Sequence, residues 1–411
     1  MTKLQTRLII TTSLLLVICL GGGCAPGRSF DNQLNSMVRP YRFNLIGWEC
    51  WALSNELNQW IFGSSEEING EVDVVIEYFS AIERLKTLES EIEAVKAGSG
   101  QGTLALLEDE LKMLQEQVRA LESKVEGIIE KQIREALAEQ GIFHPMDKYI
   151  RLKFGFPPVN FILEKPPHLL VISPRDRIES IREITFRQDI SLEEIENIEA
   201  AIDDLGVSSL VVELGGIATY PTFVTNDASL KFTLDTATEE WLHQHLVFKP
   251  LGFLYTLDLI GVSRNYDIAT MNETVASMVG KEIGAMICEK YYPQFESGDS
   301  QPPGAESEFD FNREMREIRR TVDRYLAQGE IELAEEFMEQ KRLYLASNGY
   351  YIRKLNQAYF AFHGTYADRP TSISPIGLEL KQLRSQSASL KVFLDTVAGM
   401  TSRQDLIDSI K

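Results

Sequence analysis

Residues 235–248 have the sequence DTATEEWLHQHLVF, and within them Glu239-Glu240-Trp241-Leu242-His243 is the segment that decides the fold. The whole stretch is predicted to be helical. Glu239 and His243 are four residues apart, and a helix places such a pair on one face. A carboxylate and an imidazole on one face can bind one metal ion. The segment therefore predicts part of a metal site.

Zinc hydrolases with an H-E-x-x-H helix use the same spacing. Their two histidines bind the ion, and the Glu beside the first takes a proton from the water that the ion holds. Here Glu239 replaces the first His, His243 holds the second position and Glu240 holds the position of the base. Carboxylate oxygens and imidazole nitrogens bind zinc at similar distances, so we predict Glu239 and His243 as ligands and Glu240 as the catalytic base.

A third ligand is predicted from the next long helix, which carries Asn272-Glu273-Thr274-Val275-Ala276. Glu273 would complete a set of two carboxylates and one imidazole around one Zn²⁺ ion, with a position left open for water. Such a site is formally neutral, so its water holds the proton more firmly and catalysis depends more on Glu240. Ligands that share an ion at roughly 2 Å must lie within about 4 to 5 Å of one another.

Three segments together resemble a bacterial aminopeptidase family of the gluzincin class of zinc metallopeptidases. They are residues 239–244, residues 272–276 and Leu355-Asn356-Gln357-Ala358-Tyr359. The family carries a His-Glu-x-x-His-Gln helix, an Asn-Glu-x-x-Ala helix that supplies the third ligand, and a downstream Leu-Asn-Asn-Ala segment. The resemblance spans residues 206–366 and implies a zincin-like fold, a zinc ion and the hydrolysis of peptide bonds. Glu239 departs from the family's pattern.

Two further sets of residues are candidates for the same site. In gluzincins an edge strand beside the zinc helix holds the substrate backbone by strand addition, and Gly215, Gly216, Ile217 and Ala218 occupy that place in the sequence. The alternative is an ordinary strand end with a glycine bulge. Candidates to stabilise the oxyanion are Tyr366, Tyr359 and Arg353, of which we assign Tyr366 as catalytic. The alternative for each is a structural role.

Other chemistries fit the sequence less well. A di-iron carboxylate site needs two copies of Glu-x-x-His, and no Glu stands three residues before His144, His168, His245 or His363. A serine or cysteine nucleophile would need a recognisable elbow or a Cys-His context, which we do not find. A solvated acidic helix face is the remaining alternative for residues 239–243.

Residues 1–24 have the features of a secretory signal, with Lys3 and Arg7, an apolar run from Leu8 to Leu20 and small residues before Cys24. We predict a bacterial lipoprotein in which Cys24 is lipidated. The alternative is an uncleaved anchor, although the run is shorter than the roughly 20 residues that span a bilayer. In both cases the body of the protein is predicted to be extracytoplasmic and anchored to the cell membrane.

The composition limits the partners and the covalent bonds. A formal net charge of −20 argues against nucleic acid, because phosphates would be repelled. Besides Cys19 in the signal and Cys24, the chain has only Cys50 and Cys288, and their pairing cannot be decided from the sequence.

We predict an α+β protein with a small β-sheet, a mostly helical zincin-like domain and an antiparallel coiled-coil hairpin near the N-terminus. The hairpin follows from apolar residues that alternate steps of three and four in two arms. Self-association through the longer arm is the alternative. The predicted segments are a signal at 1–24, a tether and Trp-rich docking helix at 25–70, the coiled-coil hairpin at 71–140, the metallopeptidase domain at 141–294, a linker at 295–310 and a helical domain at 311–411.

Two functions from different classes fit these observations. The first is a membrane-anchored, zinc-dependent peptidase that acts on peptide or protein substrates. The second is a non-catalytic surface lipoprotein that uses the hairpin and the C-terminal helices for scaffolding or recognition. Metal analysis and peptide hydrolysis would separate the two, because only the first needs Glu239, His243 and Glu273 to bind an ion.

Overall fold

A computed structural model describes residues 28–44, 70–100, 102–143, 145, 155, 157–294, 309–369 and 371–410. The predicted signal with Cys24, the Trp-rich segment with Cys50, and residues 295–308 of the predicted linker lie outside this part of the chain. Within the described ranges, no helix is both long and apolar enough to span a bilayer. Cys288 is buried in one of the central helices.

The architecture is α+β and mostly helical, as the sequence predicts. Its strands are β1 (Phe161–Leu163), β2 (His168–Pro174), β3 (Arg182–Phe186), β4 (Val207–Val212), β5 (Gly216–Ile217) and β6 (Thr222–Val224). Its helices are α1 (Arg28–Val38), α2 (Glu71–Lys96), α3 (Leu104–Glu139), α4 (Leu192–Asp203), α5 (Leu230–Leu246), α6 (Pro250–Leu259), α7 (Tyr266–Tyr291), α8 (Phe311–Ala327), α9 (Ile331–Ser347), α10 (Gln357–His363), α11 (Ile376–Gln386), α12 (Leu390–Ala398) and α13 (Arg403–Ser409).

The described strands form two small sheets rather than the one we expected. In the first sheet the order is β3-β2-β4, and all neighbours are antiparallel. In the second the order is β1-β6-β5, with β1 parallel to β6 and β5 antiparallel to it. Of the strand predicted at residues 215–218, the structure has Gly216 and Ile217 as β5, and the chain reverses before β6.

The two long helices α5 and α7 pack closely at the centre of the molecule. A Cβ atom at Gly280 would lie 2.6 Å from the Asp235 carbonyl oxygen, and one at Gly284 would lie 2.0 Å from Asp235 Oδ1. Both distances are too short for real side chains, so two glycines four residues apart allow α7 to approach α5. This approach determines how far Glu273 lies from Glu239.

Helices α2 and α3 lie antiparallel to each other. Gln117 Nε2 donates to Glu77 over 2.7 Å, and Lys131 Nζ pairs with Glu71 over 3.0 Å, so α3 runs back along α2. The turn between them contains Gly98 with φ +76°. The coiled-coil packing of the two arms and any self-association through them stay predictions.

The base of α3 is docked on the second sheet. The backbone N–H of Leu163 donates to Glu126 over 2.7 Å, and that of Phe161 donates to Glu130 over 3.2 Å. These carboxylates lie along the outer edge of β1, which pairs with no strand among the described residues. Apolar side chains such as Ile133 join the same core cluster as Trp241 of α5.

Two regions differ from the sequence-based expectation. Residues 28–38, expected in the tether, form α1, whose buried Leu34 and Val38 pack with the first sheet and α4. Within the helical domain predicted at 311–411, α8 and α9 are separated where Gly329 adopts φ +77°, a conformation that ends helices. Helices α11 to α13 contribute residues such as Leu380 and Leu406 to the core that also holds α5 and α7.

Candidate metal centre

Helix α5 is held at both its start and its buried face. The side chain of Ser229 accepts a hydrogen bond from Phe232 N over 3.3 Å and so caps the helix. Trp241 is 2% exposed, and its indole N–H donates to the Pro157 carbonyl oxygen over 2.8 Å. This contact fixes the rotation of α5 about its own axis. The directions of Glu240 and Leu242, which flank Trp241, are therefore fixed, and so are those of Glu239 and His243, which face α7.

Glu239, His243 and Glu273 converge in space. Each offers a ligand atom, and these atoms all lie within 4.8 Å of one another. His243 Nε2 is 3.7 Å from Glu273 Oε2, and the two side chains are only 10% and 12% exposed. The separation agrees with the range expected for a shared ion. The group could hold a metal ion.

Asn272 orients the imidazole of His243. Its amide oxygen lies 2.7 Å from His243 Nδ1, and Asn272 is fully buried. An amide oxygen only accepts hydrogen bonds, so in the neutral imidazole the proton is on Nδ1 and the lone pair of Nε2 is available. Metal-binding histidines are commonly oriented in this way by a partner on the second ring nitrogen.

Tyr255 of α6 contacts two of the three candidate ligands. Its hydroxyl donates a short hydrogen bond to Glu273 Oε1. Its ring stacks on His243 with centroids 5.5 Å apart and an angle of 28° between the planes. The second oxygen of Glu273, Oε2, is buried and has no hydrogen-bond partner in the described part of the chain.

A bound cation would favour the ionised forms of the buried carboxyl groups. Burial and the nearby Glu273 raise the pKa of Glu239 to about 8. Burial, Glu239 and Glu273 raise the pKa of Glu240 well above its ordinary value. Three carboxyl groups held this close repel one another when ionised, and a cation relieves that repulsion. The orphaned Glu273 Oε2 and this donor set therefore fit a metal ion.

Strand β5 lies directly against Glu240. A Cβ atom at Gly216 would be 2.5 Å from Thr236 Cγ2 and 2.9 Å from Glu240 Oε1, so the contact requires glycine. Gly215 likewise faces the ring of Phe232. Ile217 pairs with Phe223 of β6, and Ala218 is exposed just beyond the strand. On its other side, β5 has no partner strand among the residues described.

Of the oxyanion candidates, the structure brings Tyr366 to the acidic group. Burial raises its pKa well above the ordinary value, and the charges of Glu273, Glu239 and Glu240 add to the effect. The guanidinium of Arg369 lies 4.1 Å from the centroid of the Tyr366 ring.

The other two oxyanion candidates have structural contacts. Arg353 binds the buried carboxylate of Glu199 in α4 over 2.6 and 2.9 Å, so this carboxylate neutralises the guanidinium charge. The ring of Tyr359 lies against His363, with centroids 4.3 Å apart. Neither side chain joins the candidate metal group.

The Leu-Asn-Gln-Ala-Tyr segment has a structural explanation. Asn356 caps α10 by accepting from Tyr359 N over 2.9 Å, and its Nδ2 donates to the Ser209 carbonyl oxygen over 2.9 Å. Gln357 Nε2 donates to the Arg175 carbonyl oxygen over 2.8 Å. The segment therefore docks α10 on the first sheet.

Sequence reasoning missed the roles of Asn272 and Tyr255. Asn272 directly precedes Glu273 in the quoted motif, so the motif itself offered a signal that Asn272 lies near the site. Tyr255 lies in an apolar helix that the sequence analysis did not predict, and no spacing rule connects it with His243.

Comparison of the chain with protein-family models, with curated proteins and with solved structures finds no significant match. The resemblance described above therefore rests on the three quoted segments alone.

Proposed function

We propose that this chain is a membrane-anchored, extracytoplasmic zinc peptidase of gluzincin type with an aminopeptidase-like activity. The observation that carries the proposal is the convergence of Glu239, His243 and Glu273 within 4.8 Å, with Glu240 on the same helix. Two carboxylates and one imidazole form a ligand set that suits zinc, and three protein ligands leave a position open, as in catalytic zinc sites.

The arrangement around α5 supports the zincin-like part of the proposal. Strand β5 is antiparallel to β6 and at the edge of its sheet, next to the helix that carries Glu240. A peptide that pairs with β5 would lie across the candidate metal centre. Gly215, Gly216, Ile217 and Ala218 then form the substrate-binding strand.

The side chains of the site have complementary tasks in peptide hydrolysis. A bound zinc ion would acidify a water molecule and polarise the substrate carbonyl. Glu240 accepts the proton of the attacking water at its carboxylate and returns it to the leaving amine. The hydroxyl of Tyr366 donates a hydrogen bond to the oxygen that becomes negative. Asn272 keeps His243 in the tautomer whose Nε2 can bind the ion.

The membrane anchor is the part of the proposal that depends on the N-terminal sequence. Small residues precede Cys24 at the end of an apolar run, which favours lipidation of this cysteine. Helix α1 begins at Arg28, so a lipid on Cys24 would hold the folded body close to the membrane surface. Metabolic labelling with a fatty acid, compared with Cys24→Ser, tests the anchor separately from the enzyme.

The enzyme proposal is tested by metal content and hydrolysis in parallel. We expect stoichiometric zinc in the wild type and cleavage of amino-acid arylamides. His243→Ala should lose the metal, whereas Glu240→Gln should keep it and lose hydrolysis by at least about a hundredfold. Glu289→Gln, an exposed position on α7, is the matched control and should change neither. Internally quenched peptides show whether cleavage is internal.

One observation favours the non-catalytic alternative. With a pKa of about 8, Glu239 is mostly protonated at neutral pH, so the group can exist without a cation. A wild type that stays free of metal in excess zinc, with unchanged folding in His243→Ala, would refute the zinc peptidase and favour the non-catalytic alternative.

A further inference from the structure

We propose that Tyr255 is a positioning residue that restricts Glu273 to binding the metal ion through a single oxygen, Oε2. The proposal rests on the metal site put forward above. It assigns to α6 a role in setting the coordination number, although α6 carries no candidate ligand.

The two oxygens of Glu273 have different surroundings. Oε1 accepts the hydrogen bond of the Tyr255 hydroxyl. Oε2 has no hydrogen-bond partner in the described residues and lies 3.7 Å from His243 Nε2. Because Oε1 is engaged from the side of α6, rotation of the carboxylate toward a two-oxygen mode would break that bond.

Tyr255 also limits the movement of the imidazole. Its ring stacks on His243 at 5.5 Å between centroids, while Asn272 holds Nδ1 on another side. One tyrosine thus contacts two candidate ligands that come from different helices.

The position of Tyr255 is itself fixed by close packing between α6 and the end of α5. A Cβ atom at Gly252 would lie 2.1 Å from the Leu246 carbonyl oxygen, so the first turn of α6 touches the α5 backbone. Leu251 beside it is fully buried. The hydroxyl of Tyr255 therefore has little freedom to follow a rotating Glu273.

Single-oxygen binding matters because the number of protein ligand atoms decides what else can bind. Three ligand atoms leave a position for water, whereas a two-oxygen Glu273 would fill more of the coordination sphere. Partners of metal ligands typically change metal affinity by ten- to hundredfold when removed.

Cobalt(II) is a suitable probe because its visible absorption is strong in four-coordinate sites and weaker in five-coordinate ones. The full chain would be titrated with Co²⁺ as wild type, Tyr255→Phe and Tyr255→Leu. Tyr255→Phe keeps the ring and removes the hydroxyl, whereas Tyr255→Leu removes both contacts. Tyr359→Phe, a part-buried tyrosine outside the metal group, is the matched control.

We expect the wild type and Tyr359→Phe to show the strong four-coordinate spectrum. Tyr255→Phe should weaken the absorption and lower Co²⁺ affinity about tenfold, and Tyr255→Leu should lower it further. A Tyr255→Phe protein that is folded and has wild-type affinity and spectrum overturns the inference and leaves the zinc proposal standing.

The wild-type titration keeps the two proposals distinguishable. A wild type that binds no Co²⁺ or Zn²⁺ refutes the metal site and this inference with it. A wild type that binds Co²⁺ with the same affinity and spectrum as a folded Tyr255→Leu refutes the single-oxygen inference alone, and this comparison decides the question even if Tyr255→Phe does not fold.

Discussion

Glu239 is the residue that distinguishes this site from an H-E-x-x-H site. A histidine in its place would be neutral when unprotonated, whereas a glutamate brings a second carboxyl next to Glu273. The buried position makes the ionised form costly, which is why the pKa of Glu239 rises to about 8. Metal binding must therefore displace a proton from this side chain at neutral pH.

Metal affinity is predicted to rise with pH up to about 8. Below the pKa of Glu239, which is about 8 in the metal-free protein, each unit of decrease in pH lowers the ionised fraction of this ligand by about tenfold. The apparent Zn²⁺ affinity should fall by about tenfold per pH unit for this one proton. Calorimetric titrations at pH 6, 7 and 8 measure it, and Glu239→His should give a shallower slope. If the wild type bound Zn²⁺ with equal affinity at all three pH values, the raised pKa of Glu239 would be contradicted.

Replacing Gly216 by alanine should harm catalysis more than metal binding. The added Cβ would meet Thr236 Cγ2 at 2.5 Å and Glu240 Oε1 at 2.9 Å, so β5 or Glu240 must move. We expect a loss of about 1 to 3 kcal/mol in the free energy of unfolding, reduced arylamide hydrolysis and unchanged zinc content. Gly127→Ala is the control, because a Cβ there meets nothing within 4 Å. Wild-type hydrolysis in Gly216→Ala would show that this strand does not adjoin the base.

The three candidate ligands could be predicted because helix periodicity and one short motif bring them together. His243 and Glu239 are one turn apart on α5, which needs no tertiary information. The stacking of Tyr255 on His243 could not be predicted, since it depends on how α6 turns back on α5. Nor does the sequence reveal that Glu199 neutralises Arg353, because 154 residues separate the two.

The helix pair α5 and α7 sets the geometry of the site at the level of elements. Their close contact depends on Gly280 and Gly284, whose four-residue spacing places both on one face of α7. The sequence analysis used Glu273 from this helix and overlooked the glycines. Their role becomes visible only when the partner, the α5 backbone at Asp235, is known.

Gly280→Ala is predicted to weaken metal binding without changing any ligand. The new Cβ would lie 2.6 Å from the Asp235 carbonyl oxygen and 3.2 Å from Glu239 Cβ, so α7 must shift away from α5. We expect about 1 to 3 kcal/mol of lost stability and a lower Zn²⁺ affinity, because Glu239 and Glu273 separate. Thermal unfolding and zinc titration measure the two effects, with Gly127→Ala again as the control. Unchanged affinity would mean that the ligands are not positioned by this contact.

Glu126→Gln is predicted to stabilise the protein at alkaline pH. Burial first, then the neighbouring acids Glu130, Glu122 and Glu164, raise the pKa of Glu126 from 4.5 to about 7. Above pH 7 the ionised Glu126 therefore destabilises the folded state. This destabilisation decreases as the pH falls through 7 and is absent below pH 4.5. Glutamine avoids the charge and keeps an oxygen for the Leu163 N–H.

The variant should exceed the wild type in free energy of unfolding by about 3 kcal/mol at pH 8, and the two should converge near pH 4.5. Urea unfolding at both pH values measures the difference. Glu116→Gln, on an exposed part of α3, should show no such pH-dependent gain. A constant difference at both pH values would show that the carboxylate is not buried.

At the scale of the whole molecule, one apolar core connects parts of the chain that are distant in sequence. It contains Ile133 of α3, Trp241 of α5, Ile283 of α7 and Leu406 of α13. The amphipathic patterns of these helices predict that each has a buried face. They do not predict which faces meet, so the sequence analysis placed the hairpin and the C-terminal helices in separate segments.

Zinc is predicted to stabilise the whole fold. Binding to the folded state alone adds about 2.7 kcal/mol at a free concentration one hundred times Kd. Tm should rise on addition of Zn²⁺ and fall when a chelator is added. His243→Ala should show neither change. A zinc-dependent rise of the same size in His243→Ala would locate the binding elsewhere.

The carboxylates of Glu126 and Glu130 that cover the outer edge of β1 restrict how the protein can be shortened. A shorter loop that replaces only the far end of the hairpin, around Leu106 and Met113, removes side chains that are 68% and 66% exposed and leaves this edge sealed. A deletion that reaches Glu126 would uncover the Phe161 and Leu163 amides, and bare strand edges promote aggregation. We therefore expect the tip of the hairpin, but not its base, to be removable without loss of solubility.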